Sequence, residues 1–222
     1  MNRKFKLNKN YKKPYNYHPK NKSELKKLIK QLIDERGNEA DLNDIDTSNI
    51  LDMSLLFMDS PFNGDISRWD VSKVRDMNSM FQNSFFDGDL SNWDVSRVDI
   101  TVRMFFNSHF TGKNGDISDW DVSNIKDMNH MFGFSNYNGD LSKWDVSNVK
   151  DMSYMFYKSS FTGQNGDISK WDVSSVEDIQ YMFYGSSFNG DISDWDVEKL
   201  IFDLGMFKYS PLEGKEPKWY EK

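Results

Sequence analysis

The sequence contains no cysteine, and its only histidines are His18, His109 and His130. Without cysteine, the chain can form neither disulfide bonds nor thiolate metal sites. The three histidines are too scattered to suggest a metal centre, and serine and aspartate are so abundant that any Ser-His-Asp combination is expected by chance. We therefore predict that the protein is not an enzyme and that it holds no metal ion and no cofactor.

Long apolar segments are also missing. No run of 18 apolar residues occurs, and the basic start of the chain, residues 1–10, has no apolar stretch behind it. This composition predicts neither a membrane-spanning helix nor a secretory signal peptide. The expected location is the cytoplasm of a bacterium or of a phage-infected cell. A surface location is the alternative, and a longer reading frame upstream of Met1 would favour it.

The chain is rich instead in one repeated sequence, Gly-Asp-Ile/Leu-Ser-x-Trp-Asp-Val. Its copies are spaced alternately by 24 and 27 residues. They begin at Gly64, Gly88, Gly115, Gly139, Gly166 and Gly190. Repetition at a fixed period of this length is typical of stacked units that bury their apolar sides against their neighbours. One continuous domain is therefore expected.

The apolar pattern inside each repeat predicts its local structure. Leu141 is isolated between polar neighbours in the fourth repeat, which suits a short strand. Met152, Met155 and Phe156 have the i, i+3, i+4 spacing of one side of a helical turn. We predict an α/β repeat solenoid whose coils each contain a short strand and a short helix.

Two segments carry a resemblance to a known family. Residues 69–77 read Trp-Asp-Val-Ser-Lys-Val-Arg-Asp-Met, and residues 182–191 read Met-Phe-Tyr-Gly-Ser-Ser-Phe-Asn-Gly-Asp. With their copies over roughly residues 40–207, they resemble the BspA-like surface-protein repeat, also described as the DUF285 or mycoplasma lipoprotein-associated repeat. That family is treated as a divergent leucine-rich-repeat class. The resemblance implies leucine-rich-repeat-like coils and a scaffold for recognition.

The chain divides into four predicted parts. Residues 1–22 form a basic, partly disordered arm, because residues 1–30 carry a net charge of +10 and the remainder carries −17. Residues 23–37 form an N-terminal capping helix that begins at Ser23 and ends at Gly37. Residues 38–207 form the solenoid, and residues 208–222, with Trp219, close its C-terminal end.

Two strips of variable residues on the constant frame are the candidate binding surface. The first strip is the position before each Trp, and the second follows each Met-Phe pair. In the second strip, Tyr157 and Tyr184 are the predicted anchors, because aromatic residues supply much of the energy in interfaces. The first strip consists of Arg68, Asn92, Asp119, Lys143, Lys170 and Asp194.

Twelve aspartates recur at two positions, directly after the repeat glycine and directly after Trp. Stacking would bring their like charges close together, so each is expected to accept a backbone N–H in an Asx turn. A row of calcium sites is the alternative, because carboxylate oxygens suit that ion.

The predicted function is that of a non-enzymatic, monomeric recognition module that binds another macromolecule through its repeat surface. A protein partner is expected, and a phage or bacterial protein that modulates a host protein is one subtype. One alternative is a cell-surface adhesin or structural module. Another is a nucleic-acid role, either through the basic arm or through acidic mimicry of phosphate charge.

Overall fold

The computed structural model describes residues 15–220 and contains little regular secondary structure. Over this range it has one α-helix, α1 (Lys22–Arg36), and one short 3₁₀ turn, η1 (Lys218–Tyr220). The repeats contact one another through isolated parallel bridges, and none of the described residues forms a β-strand. The predicted α/β solenoid of leucine-rich-repeat-like coils, each with a strand and a short helix, is therefore wrong.

Each repeat lies beside the next, and backbone hydrogen bonds join the two. In the third repeat, alternate amides donate at 2.7–3.0 Å to carbonyls of the fourth repeat. The donors are Met128, His130, Phe132 and Phe134, and the acceptors are Asp151, Ser153, Met155 and Tyr157. The same pattern joins the neighbouring repeats, so we call residues 40–210 the repeat stack.

The Met-Phe segment is a series of turns, although its apolar spacing imitates a helix. The amide of Met155 donates to the carbonyl of Met152 at 3.1 Å, and that of Tyr157 donates to Tyr154 at 3.0 Å. Tyr154 and Lys158 have φ values of 57° and 50°, in the left-handed region. An α-helix needs consecutive right-handed residues, so two left-handed residues four positions apart exclude it.

The backbone bonds between repeats run in both directions. The Met53 amide donates to the Asp76 carbonyl at 2.9 Å, and the Arg75 amide donates back to the Leu51 carbonyl at 2.9 Å. Parallel neighbours exchange bonds in this way. At the N-terminal end of the stack, the Lys22 amine contacts Asp52 at 2.9 Å and the Lys26 amine contacts the Leu55 carbonyl at 3.3 Å.

Two columns of aromatic side chains hold the interior together. One is a column of buried Phe residues with ring centroids 5.5–6.2 Å apart in successive repeats. It consists of Phe57, Phe81, Phe105, Phe132, Phe156, Phe183 and Phe207. In the other column, each Trp indole donates its N–H to a carbonyl of the preceding repeat, as Trp144 does to Ile117 at 3.1 Å. Trp219 repeats this bond to Ile192 at 2.9 Å, so it extends the Trp column by one step.

Helix α1 packs against residues 40–63, a repeat without Trp that precedes the one at Gly64 and that we call the N-terminal repeat. Its apolar face buries Leu25, Ile29 and Leu32 in the same core as the repeats. Asn21 caps the helix by accepting the amide of Glu24 at 3.0 Å, so the prediction of Ser23 as the cap is wrong. Asn21 is held in this position because its side-chain amide donates to the Glu24 carboxylate at 3.2 Å, and the same carboxylate accepts the Lys20 amide at 2.9 Å. No helix of the described part is long and apolar enough to cross a membrane.

The segment before α1 is partly in contact with the stack. Tyr17 forms a parallel bridge with Ile45, and the Arg36 guanidinium lies 5.6 Å from the centre of the Tyr17 ring. Arg36 also binds Asp44 at 3.0 Å. The predicted arm of residues 1–22 therefore includes a docked portion, and its residues 1–14 lie outside the described range.

Tyr137 is the one tyrosine in a column where other repeats carry Phe, as at Phe110 and Phe161. Its hydroxyl is buried and has no hydrogen-bond partner among the described residues, and burial raises its pKa far above the ordinary value. We expect Tyr137→Phe to raise the free energy of unfolding by about 1 kcal/mol, because it removes a buried unsatisfied hydroxyl without changing the ring. Urea denaturation measures the change. The matched control, Phe161→Tyr, should destabilise, and a less stable Tyr137→Phe variant would contradict the argument.

Candidate functional site

One side of the repeat stack carries a band of aromatic residues. The turns bury Met152, Met155 and Phe156 and leave other side chains of the same segment, such as Tyr154, at the surface. In the later repeats, most of these surface side chains are aromatic. We call this set the aromatic band. It consists of Phe106, His130, Phe134, Tyr154, Tyr157, Tyr181, Tyr184 and Tyr209.

The rings of the aromatic band contact one another across successive repeats. Tyr157 and Tyr184 are stacked with centroids 5.0 Å apart, and Tyr154 and Tyr181 are stacked at 4.9 Å. His130 lies parallel to Tyr154 at 4.4 Å. These ring contacts limit the motion of each side chain, so the band is a preformed surface.

The aromatic band is accessible to a partner. Phe134 is 43% exposed and Tyr209 is 63% exposed, and the remaining rings are half-buried. Rings that were only core would be fully covered, as Phe156 is. An exposed apolar patch of this kind on a regular surface is typical of an interaction site.

Cations lie against the aromatic band. The Lys158 amine is 5.5 Å from the ring centres of both Phe134 and Tyr157, and the Lys208 amine is 5.2 Å from that of Tyr209. Each lysine is held by the negative face of the rings. The band therefore offers apolar area together with positive charge, on a protein whose net charge is −7.

Two rings of the band are uncharged at neutral pH. Burial, with the charge of Arg103, lowers the pKa of His130 to about 4. Burial raises the pKa of Tyr154 above its ordinary value, and the neighbouring Tyr181 adds to this. The band therefore offers ring surface without charge at these two positions.

The structure places the predicted anchors in this band and the other candidates in a separate set of exposed residues. Tyr157 and Tyr184 contact each other directly. In the strip before each Trp, Lys143 binds Asp119 at 2.7 Å and Lys170 lies 3.5 Å from Asp194. The strip is exposed along its length, and its members are Arg68, Asn92, Asp119, Lys143, Lys170 and Asp194. Because its charges pair with one another, this strip presents less free charge than its sequence suggests.

Sequence reasoning missed five of the eight residues of the band. His130, Tyr154 and Tyr181 share another register position, two residues before the buried Phe of the Met-Phe pair, and Phe134 and Tyr209 share a third. The signal was available, since three successive repeats carry an aromatic or His at the first of these positions. It was overlooked because only the position directly after each Met-Phe pair was compared between repeats. The three positions have i, i+3 and i+4 spacing, so a helical turn would also have placed them on one side.

The predicted Asx turns are confirmed. All twelve aspartates accept the backbone amide two residues later, at 2.8–2.9 Å after the repeat glycine. The bonds after Trp are 3.0–3.2 Å long. The hydroxyl and amide of Ser142 lower the pKa of Asp140, so this carboxylate stays ionised. No group of three His, Asp or Glu side chains in the described residues is arranged to hold a metal ion.

A third row of aspartates was not predicted from the sequence. It follows the bridges between repeats and includes Asp127, Asp151 and Asp178. Burial raises the pKa of Asp127 and of Asp178, and the nearby charge of Asp151 adds to both shifts. Each of these carboxylates also accepts a local amide, which gives it a structural role.

Comparison with known proteins gives one match. A family described as "Mycoplasma protein of unknown function, DUF285" matches residues 23–132 and 102–219. No curated protein and no solved structure matches the chain. The matches bear out the DUF285 resemblance, and they do not show the relation to BspA-like or leucine-rich-repeat proteins.

Proposed function

The chain belongs to the DUF285 family, whose function is unknown, and we propose that it is a non-enzymatic module that recognises a protein through the aromatic band. The observation that carries this proposal is the continuous set of exposed ring contacts from Phe106 to Tyr209. Aromatic residues are enriched at the centres of protein interfaces, where they supply most of the binding energy.

The rigidity of the band supports the same function. A side chain that is immobilised on binding loses conformational entropy, and this opposes association by about 0.5–1.5 kcal/mol for each flexible side chain. Tyr157 is already stacked on Tyr184 and lies 5.3 Å from Phe134. The Tyr157 side chain is therefore already ordered before a partner binds.

The side chains of the band predict the kind of surface that the partner presents. The Tyr and Phe rings favour an apolar or aromatic patch, and Lys158 and Lys208 beside them favour acidic residues at the margin of that patch. A protein surface with an apolar centre and an acidic rim meets both requirements.

The test is affinity capture followed by titration. The full chain is immobilised, nuclease-treated lysate of the source cell is passed over it, and the retained protein is purified and titrated against variants by calorimetry. We expect Tyr157→Ser/Tyr184→Ser to raise Kd at least about 30-fold, because one central aromatic residue is worth roughly 2 kcal/mol. The control, Lys143→Ser/Lys170→Ser, should bind within about threefold of the native chain.

Three outcomes would overturn the proposal. One is a Kd that the tyrosine variant leaves unchanged, and another is a Kd that only the lysine variant raises, which would assign binding to the strip before each Trp. Retention that nuclease abolishes, or that requires residues 1–22, would instead support nucleic-acid binding through the arm. Circular dichroism of each variant checks that it is folded.

A further inference from the structure

The last repeat exposes apolar side chains where earlier repeats carry polar ones. Ile201, Phe202 and Leu204 are 65%, 54% and 63% exposed. At the Phe202 position the preceding repeats carry Asp in every case but one: Asp52, Asp76, Ile100, Asp127, Asp151 and Asp178. A terminal repeat needs a polar outer face to remain soluble, so an apolar one indicates that something covers it.

Backbone donors are unused at the same place. In each earlier repeat, alternate amides donate to the next repeat, as Ile179 and Tyr181 donate to the carbonyls of Phe202 and Leu204. In the last repeat, the amide of Tyr209 donates to the Glu213 carboxylate at 2.9 Å. The amide of Asp203, between Phe202 and Leu204, has no acceptor within residues 15–220. We call residues 201–204 the C-terminal edge.

The backbone groups at this edge define what can cover it. The edge offers the Asp203 amide and also the Ile201 carbonyl, since the equivalent Glu177 carbonyl accepts the amides of Ile201 and Phe202 in the next repeat. An occupant that continues the pattern is an extended segment with a carbonyl opposite Asp203 and an amide opposite Ile201. A second copy could continue the parallel pattern only by offering its N-terminal repeat, which α1 and Tyr17 already cover.

We propose that the C-terminal edge binds an extended, apolar peptide segment of a partner protein. One backbone carbonyl of the peptide accepts from the Asp203 amide, as carbonyls of each following repeat do elsewhere in the stack. The peptide side chains cover Ile201, Phe202 and Leu204. This is recognition by addition of a chain to an open backbone edge, in which main-chain bonds and apolar pockets act together. The site is distinct from the aromatic band and does not depend on it.

A library of linear 12-residue peptides displayed on phage is the probe, selected on the immobilised full chain. The test variant is Ile201→Lys/Phe202→Asp/Leu204→Ser, which introduces the residues found at the same positions of the fourth repeat and is therefore compatible with the fold. The control is Leu51→Lys, which alters a similarly exposed apolar residue at the Ile201 position of the N-terminal repeat. We expect enriched peptides with apolar residues, a Kd at least tenfold higher for the triple variant, and a change below twofold for the control.

Amide exchange and sedimentation complete the test. Bound peptide should slow hydrogen exchange at Asp203, and Tyr157→Ser/Tyr184→Ser should bind it as the native chain does, which separates this site from the aromatic band. The proposal is overturned if no peptide is enriched or if the triple variant binds the enriched peptides equally well. It also fails if the native chain dimerises and the triple variant does not, since a second copy would then cover the edge.

Discussion

Replacement of Phe156 by alanine is expected to lower the free energy of unfolding by about 4 kcal/mol, within the range of Phe-to-Ala changes in buried cores. Phe156 is fully buried in the centre of the Phe column, 5.8 Å from Phe132 and 5.6 Å from Phe183. A third ring, Phe161, lies 4.1 Å away in the same repeat. Truncation leaves a cavity that the two flanking repeats cannot close, because their backbones are fixed by hydrogen bonds on either side.

The adjacent residue provides the control for this change. Tyr157→Ala alters the next side chain, which lies on the surface band, and should lower the free energy of unfolding by less than about 1 kcal/mol. Chemical denaturation of both variants gives the comparison. Equal losses for Phe156→Ala and Tyr157→Ala would refute the assignment of one ring to the core and the other to the surface.

Replacement of Gly166 by alanine is expected to destabilise the protein by about 3 kcal/mol, as an overpacked core position does. A Cβ atom at Gly166 would overlap with Asp140 Oδ1 and would lie 2.8 Å from Asp140 Cα, in the backbone of the preceding repeat. The stack would have to separate locally to admit one methyl group. The repeat position therefore requires glycine, because the neighbouring repeats lie too close together for a Cβ atom there.

The N-terminal repeat supports this reason for glycine. Ala40 occupies the position of the repeat glycine there, and no earlier repeat lies beside it. The matched control is Gly133→Ala, whose Cβ would meet the Phe106 side chain at 3.0 Å and the His130 carbonyl at an ordinary contact distance of 3.5 Å. Thermal and urea unfolding should show a loss below about 1 kcal/mol for Gly133→Ala. A Gly166→Ala variant as stable as this control would disprove the close approach of the repeats.

Much of the organisation followed from residue patterns. The period of the repeats, the Asx turns at Asp140 and its equivalents, and a helix ahead of the repeats were all predicted and are confirmed. These features depend on neighbours close in sequence. Tyr157 and Tyr184 were also identified, because their position varies on a constant frame.

The conformation predicted for the interior of each repeat was wrong, and the reason is physical. Met152, Met155 and Phe156 satisfy the spacing of a helix, and the same spacing also fits successive turns that contain left-handed residues. Tyr154 and Lys158 have no intrinsic preference for positive φ, since that region disfavours residues with a side chain. Their conformation is imposed by amides that must donate to the next repeat.

The sequence by itself determined the number and spacing of the repeats, the buried set in each and the helix that precedes them, because period and polarity act locally. Tertiary structure alone decided that the amides of Tyr154 and its equivalents point to the next repeat, and that rings of successive repeats contact one another in one surface. It also left the Asp203 amide open beside Phe202 and Leu204. These features arise between repeats, where hydrogen bonding across the stack outweighs the local preference of each residue.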